Sequence, residues 1–185
     1  GNYLVGGAGD DLYVVASTGA KLYELPGEGI DTVNSPNSFS LPDNVENLIL
    51  TGNIDNLAGT GNSLDNLLVG NDGSSCRLYG NDGDDTLVGG YNAQLNGGAG
   101  DDTYVINFPG YFYDFYITET SGNDTLMINK TWTLTGIVEN LVLAGAGDIN
   151  GTGDGAANRL TGNSVNNMLA GLDGNDTLDG GAGSD

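Results

Sequence analysis

Aspartate recurs at a fixed place in a short glycine-rich unit of this sequence. In Gly80-Asn81-Asp82-Gly83-Asp84-Asp85-Thr86-Leu87-Val88, glycine stands first and fourth, acidic residues third, fifth and sixth, and leucine eighth. Close copies start at Gly6, Gly97 and Gly171, and a fifth, Gly180-Gly181-Ala182-Gly183-Ser184-Asp185, reaches the last residue. Carboxylates this dense, with free turn carbonyls beside them, suit one chemistry above others. A hard cation such as calcium takes six to eight oxygen ligands, and it would relieve the repulsion between acidic turns brought close together.

Acid–base and nucleophilic chemistry find no comparable support. The chain has no histidine, which removes histidine-based triads and histidine-containing zinc sites. The paired carboxylates sit in turns that cation binding already explains. No catalytic or organic-cofactor residues are assigned, and the expectation is a protein that is not an enzyme. The single cysteine, Cys76, permits no internal disulfide and reads as a plain turn or strand residue. Glu46 and Glu139 stand at matching places inside apolar strands. Of a metal or sugar contact and a hydrogen-bonded strand residue, the second is favoured.

The elements that must position these aspartates follow from the glycines. Glycine allows sharp turns with φ > 0. The three residues after each turn form a short strand whose middle side chain points one way. That inward position holds Tyr13, Leu87, Tyr104 and Leu178. One unit buries nothing alone, but stacked units bury a continuous core. Two nonapeptides make one coil of a parallel β-solenoid, with like turns about 4.8 Å apart. The predicted fold is therefore all-β.

The pattern resembles the RTX (repeats-in-toxin, haemolysin-type) calcium-binding repeat. The resemblance implies a right-handed parallel β-roll or β-helix, here with two wider irregular segments. It also implies calcium held between two turns on one edge, one coil apart, by sixth-position aspartates and turn carbonyls. Carried over by position, this singles out Asp85 and Asp102, with the carbonyls of Gly80, Asp82, Gly98 and Gly100. Asp84 and Asp101 would face solvent. Asp173 and Asp176 need a partner, either the turn Gly153-Asp154-Gly155 or a coil beyond Asp185. Asp185 lacks a visible partner, and Asp11 needs a turn before Gly1 or in the wider segment.

Between Leu68 and Tyr104 the inward candidates are Leu78, Leu87 and Leu95, at steps of 8 to 10 residues. The arrangement then repeats at an offset of 91 to 93 residues, as in Gly29-Ile30-Asp31-Thr32 against Gly122-Asn123-Asp124-Thr125. This divides the chain into the tail of a preceding repeat (1–5), a first unit (6–96) and a second unit (97–185). Starting and stopping within a repeat reads as a piece of a longer protein or a protomer continuing into a neighbour.

A formal charge of −21 disfavours nucleic acid and anionic membranes as partners. No stretch approaches a transmembrane length, so membrane insertion is not expected. The resemblance implies type I export from a bacterium and an extracellular or cell-surface location. Extracellular calcium modules bind at roughly 10⁻⁴–10⁻³ M. With a Kd of about 0.1 mM and about 1 mM calcium, each site stabilises the fold by about 1.4 kcal/mol.

Two functions fit this pattern. The leading one is a calcium-stabilised structural repeat segment of a secreted or surface protein (an adhesin, surface layer or filament), with end-to-end or lateral self-association. The other is a carbohydrate-binding or accessory module of an exported polysaccharide-modifying enzyme or hydrolase, with an extracellular glycan as partner. The tract Phe108–Tyr116, with six aromatic residues, is the feature that separates them. It reads as a glycan or protein contact, or as a cap over the wide part of the solenoid.

Overall fold

A computed structural model describes residues 3–16, 19–71, 75–107 and 114–185. The described residues form short strands and turns with no helix, and all strand pairing is parallel. Alternate strands build two faces of one solenoid. One face is a single ten-stranded sheet running from Leu12–Val14 to Thr177–Asp179. The opposite face is divided into sheets of two, five and three strands. No helix among the described residues is long and apolar enough to cross a membrane.

The ten-stranded face keeps one register throughout. Tyr13, Val33, Leu48, Leu68, Leu87, Tyr104, Leu126, Leu141, Leu160 and Leu178 lie opposite one another in turn. Successive spacings are 20, 15, 20, 19, 17, 22, 15, 19 and 18 residues, so coil length varies while register does not. The extra residues of the segments expected to be wider lie in the turns; their strands join the common sheet. A one-residue slip would turn every one of these side chains outward, so burial enforces the register.

Behind this column lie Leu78 and Leu95 from the five-stranded sheet, both almost completely buried. Cys76 is also inward and buried, opposite Leu57. Where a neighbouring coil brings two bulky residues close, the facing position is glycine. A Cβ on Gly59 would lie 3.0 Å from side-chain carbons of both Leu48 and Leu78. Leu178, in the last strand of the sheet, is 48% exposed.

Candidate metal centre

The turns that lead into the ten-stranded face stack into one edge, and their last residues form a ladder. The Asp11 N–H donates to Asp31 Oδ1, Asp31 to Glu46 Oε2, Asn66 to Asp85 Oδ1, Asp85 to Asp102 Oδ1, Asp102 to Asp124 Oδ1 and Asp124 to Glu139 Oε2, at 2.7–2.9 Å. Each carboxylate thus uses one oxygen to accept from the coil before it. Glu46 and Glu139 are hydrogen-bonded rungs of this ladder, but each stands one residue before its strand, Asn47–Leu50 or Asn140–Leu143, and not within it. Fifth-position residues run a second ladder in the opposite sense: Asp84 N–H donates to Asp65, Asp101 to Asp84 and Asn123 to Asp101. Asp84 and Asp101 are exposed.

The other oxygen of several inner rungs has no protein partner. Oδ2 of Asp11, Asp31, Asp85 and Asp102, and Oε2 of Glu24, are buried without a hydrogen bond. Leaving buried acceptors unsatisfied is costly, and for charged ones the cost rises further. Burial, with repulsion from neighbouring carboxylates, pushes Asp85 up to about 7 and Asp102 and Asp124 up to about 6. Asp31 is raised for the same reasons, with Glu24, Asp11 and Asp10 as its charged neighbours.

Twice, three carboxylates converge. Asp11, Glu24 and Asp31 form one group and Asp102, Glu119 and Asp124 the other, each offering oxygens within 4.8 Å of one another. Oxygens this close together can be ligands of one hard cation, and calcium takes oxygen ligands of this kind. The groups occupy equivalent places in the two halves and share their support. The N–H of Gly6 donates to Tyr13 Oη at 2.7 Å, and that of Gly97 to Tyr104 Oη at 2.9 Å. The Tyr104 hydroxyl in turn bonds Glu119. Glu119 Oε1 also accepts from Gly98 N–H, and Glu24 Oε1 from Gly6 N–H.

The first-position glycine has a steric cause here. A Cβ on Gly97 would lie 2.0 Å from Asp102 Oδ2, and one on Gly80 would lie 2.0 Å from Asp85 Oδ2. The sixth side chain folds back over the first residue and fills the place of its Cβ. Fourth-position glycines meet a second demand: Gly83 and Gly100 have φ of 109° and 136°, which few side chains tolerate.

Asparagine at the sixth position behaves differently. Asn66, Asn158 and Asn167 turn Oδ1 back to the N–H of Asn62, Asp154 and Asn163 within their own turns. Their amide groups donate to the carbonyls of Glu46, Glu139 and Ile149 in the preceding coil. The amide supplies internally the positive partner that an aspartate at this position lacks.

The residues singled out in the sequence are distributed as follows. Asp85 and Asp102 are adjacent rungs on one edge, with Gly98 opposite Asn81. The three-carboxylate group, however, forms one coil further on and joins Asp102 to Glu119 and Asp124. Gly80, Gly98 and Gly100 lie in these stacked turns, and the Gly98 carbonyl already accepts from Ser121 N–H at 3.2 Å. The side chains of Asp82 and Asp173 are exposed. Asp176 stacks on the turn at 153–158, accepting from Asn158 N–H at 2.9 Å. Asp11 finds its neighbour Asp31 in the following coil.

Asp185, expected to lack a partner, lies on the opposite edge and accepts from Asn167 N–H at 2.8 Å. Half a coil separates 171–176 from 180–185, so consecutive nonapeptides fall on alternate edges. Of the aromatic tract, Phe108–Tyr113 lies outside the described residues; Phe115 packs on Trp132 with ring centroids 5.0 Å apart. Glu24, Asp31, Glu119 and Asp124, which complete the two carboxylate groups, are not among the residues that the sequence singles out. The duplicated Asp31 and Asp124 were the available signal.

Part of the chain is similar to known proteins. It is 41% identical over 71 residues to Endo-1,3-1,4-beta-glycanase ExsH of Rhizobium meliloti (strain 1021), a match covering 38% of this chain and 15% of that protein. It is 42% identical over 67 residues to Endo-1,3-1,4-beta-glycanase EglC of the same organism, covering 36% of this chain and 14% of that protein. Each match spans about one-seventh of the relative's length. No family model matches the chain, and no solved structure matches it at a significant level.

Proposed function

We propose that this solenoid is a calcium-loaded, carbohydrate-binding accessory module of an exported glycan-acting protein, and not itself the catalyst. The observation that carries the glycan part is the similarity to two endo-1,3-1,4-beta-glycanases over about seventy residues. The cation part is supported by the two three-carboxylate groups and by the orphaned buried oxygens of Asp11, Glu24, Asp31 and Asp102. Oxygen-only donors suit calcium over softer metals. On this reading the turns are RTX-type repeats. Asp102, Glu119 and Asp124 would hold one ion, and Asp11, Glu24 and Asp31 another. The ions would neutralise the edge and so permit the coils to stack. Millimolar calcium outside the cell would fill sites of this class, and cytosolic calcium would not.

The test is affinity electrophoresis of the 185-residue chain through gels containing β-1,3-1,4-glucan, with calcium. Retardation is expected; migration identical to that in a glucan-free gel would contradict the glycan reading.

One observation favours the structural-segment reading as a second possibility. Ile49, Val69, Val88, Val105, Met127 and Val142 form an outward, in-register apolar column on the ten-stranded face. A long apolar strip suits lateral packing against another solenoid. Sedimentation of the wild-type chain and of Val88→Lys decides it: association lost in the variant supports packing, and a wild-type monomer excludes it.

A further inference from the structure

The five-stranded face differs from the rest of this acidic molecule. Its outward side chains fall in two columns: Ser40, Thr60, Tyr79, Asn96 and Thr118 in one, and Ala58, Arg77, Gln94 and Tyr116 in the other. In a chain of net charge −21, Arg77 carries the only charge in these columns. The carboxylate ladders run along the turn edge, so apart from Arg77 these two columns are uncharged and rich in hydroxyls and amides. Tyr79 and Tyr116 are 39% and 61% exposed, so both rings are open to a ligand.

Between them lies an open groove of about 380 Å³ lined by Tyr79, Gln94, Leu95, Asn96, Tyr116 and Thr118. Tyr79 stands opposite Asn96 and Tyr116 opposite Gln94 on the shared central strand. The two tyrosines are therefore two strands apart and two residues out of step. Strand and residue spacings put them about 12 Å apart. One sugar ring cannot bridge that diagonal, whereas a short oligosaccharide can.

The floor is ordered. Asn96 donates to the Thr118 carbonyl at 3.1 Å and to its hydroxyl at 2.9 Å, and Arg77 Nε donates to Gln94 Oε1 at 3.3 Å. Those bonds fix two amide groups and a hydroxyl at the centre of the groove before any ligand arrives.

We infer that this groove binds a β-linked glucan chain, with Tyr79 and Tyr116 as stacking platforms and Gln94, Asn96 and Thr118 meeting the hydroxyls between them. β-Linked glucose offers what the site lacks: flat C–H faces for aromatic rings and equatorial hydroxyls for amides. Concave sites with aromatic walls and few oriented polar groups bind small ligands in this manner. The inference rests on the proposed carbohydrate-binding role and assigns it a place.

The experiment uses the 185-residue chain in calcium buffer. Affinity electrophoresis in β-1,3-1,4-glucan is run for the wild type, Tyr79→Ala, Tyr116→Ala, Tyr79→Phe and, as an exposed aromatic outside the groove, Tyr23→Ala. Circular dichroism checks that each is folded; both target tyrosines are exposed, so their truncation leaves the core intact. Each alanine variant is expected to bind roughly tenfold or more weakly, the effect of losing an anchoring aromatic. Tyr79→Phe and Tyr23→Ala are expected to bind like the wild type. If the wild type is retarded and both alanine variants match it, the groove assignment is overturned and the carbohydrate-binding reading stands. If the wild type is not retarded, both fall. Equal loss in Tyr23→Ala would mean non-specific adhesion and would also overturn the groove.

Discussion

The backbone N–H of Asp85 donates to Oδ1 of Asp102 in the next coil at 2.8 Å, while Oδ2 of both carboxylates is buried and unpartnered. The fold thus satisfies half of each carboxylate and leaves the other half to be neutralised. A proton or a cation can do this, and the competition between them gives the first prediction.

Burial, and then neighbouring charge, pushes the Asp85 carboxyl up from 3.8 to about 7 and those of Asp102 and Asp124 up to about 6. A group whose folded pKa is raised contributes stability that is complete below its unfolded pKa and is lost as pH rises through the folded value. Without metal, the chain is therefore more stable near pH 4 than at pH 8, with most of the loss between about pH 4 and 7. Calcium should reverse the order, since it requires the ionised form. Thermal melts in chelator and in calcium at both pH values check this. A chelated chain more stable at pH 8 would contradict it.

Replacing Asp102 by asparagine imitates the self-satisfied rungs at Asn66 and Asn158. We expect Asp102→Asn to raise stability in chelator by roughly 1 kcal/mol, from relief of a buried charge, and to reduce the stabilisation by calcium. Urea unfolding with and without calcium measures both. Equal calcium stabilisation in wild type and variant would remove Asp102 from the site.

Gly97→Ala would place a methyl 2.0 Å from Asp102 Oδ2 and 2.5 Å from the Tyr104 hydroxyl. A loss of about 2–3 kcal/mol is expected from this overpacking, together with weaker calcium binding. Gly147→Ala meets no atom within 4 Å, and its effect should stay within about 0.5 kcal/mol. Comparable costs for the two would show that carboxylate–glycine packing does not shape the turn.

Leu87 is completely buried in mid-stack, whereas Leu178 is 48% exposed. Leu87→Ala should cost about 2–5 kcal/mol through lost burial and a cavity, and Leu178→Ala less than about 1.5 kcal/mol. Denaturant midpoints compare them directly.

The repeat made much of this legible. Leu68, Leu78, Leu87, Leu95 and Tyr104 are inward as their spacing required, and the turns at 80–85 and 97–102 share an edge. The three-carboxylate groups are harder to read, because Glu24 and Glu119 break the motif that reveals the others. Glu119 stacks over the turn of 97–102, where the repeat has glycine, and Glu24 does the same in a turn lengthened around Pro26. A glutamate there is recognisable only once coil stacking shows what lies beneath it. The edge carrying Asp185 likewise depends on counting half-coils through turns of unequal length. The glycan groove joins residues from three strands, and short-range pattern brings none of them together.

On the proposed reading a bound cation completes the carboxylate edge. Calcium titration of the chelated chain at pH 7.5, followed by circular dichroism, tests it most directly, with Asp102→Asn/Asp124→Asn as the comparison. A cooperative gain of β signal and thermal stability is expected in the wild type between about 0.1 and 1 mM calcium, much reduced in the double variant. A wild-type spectrum and melting temperature unchanged from chelator to 10 mM calcium would contradict it.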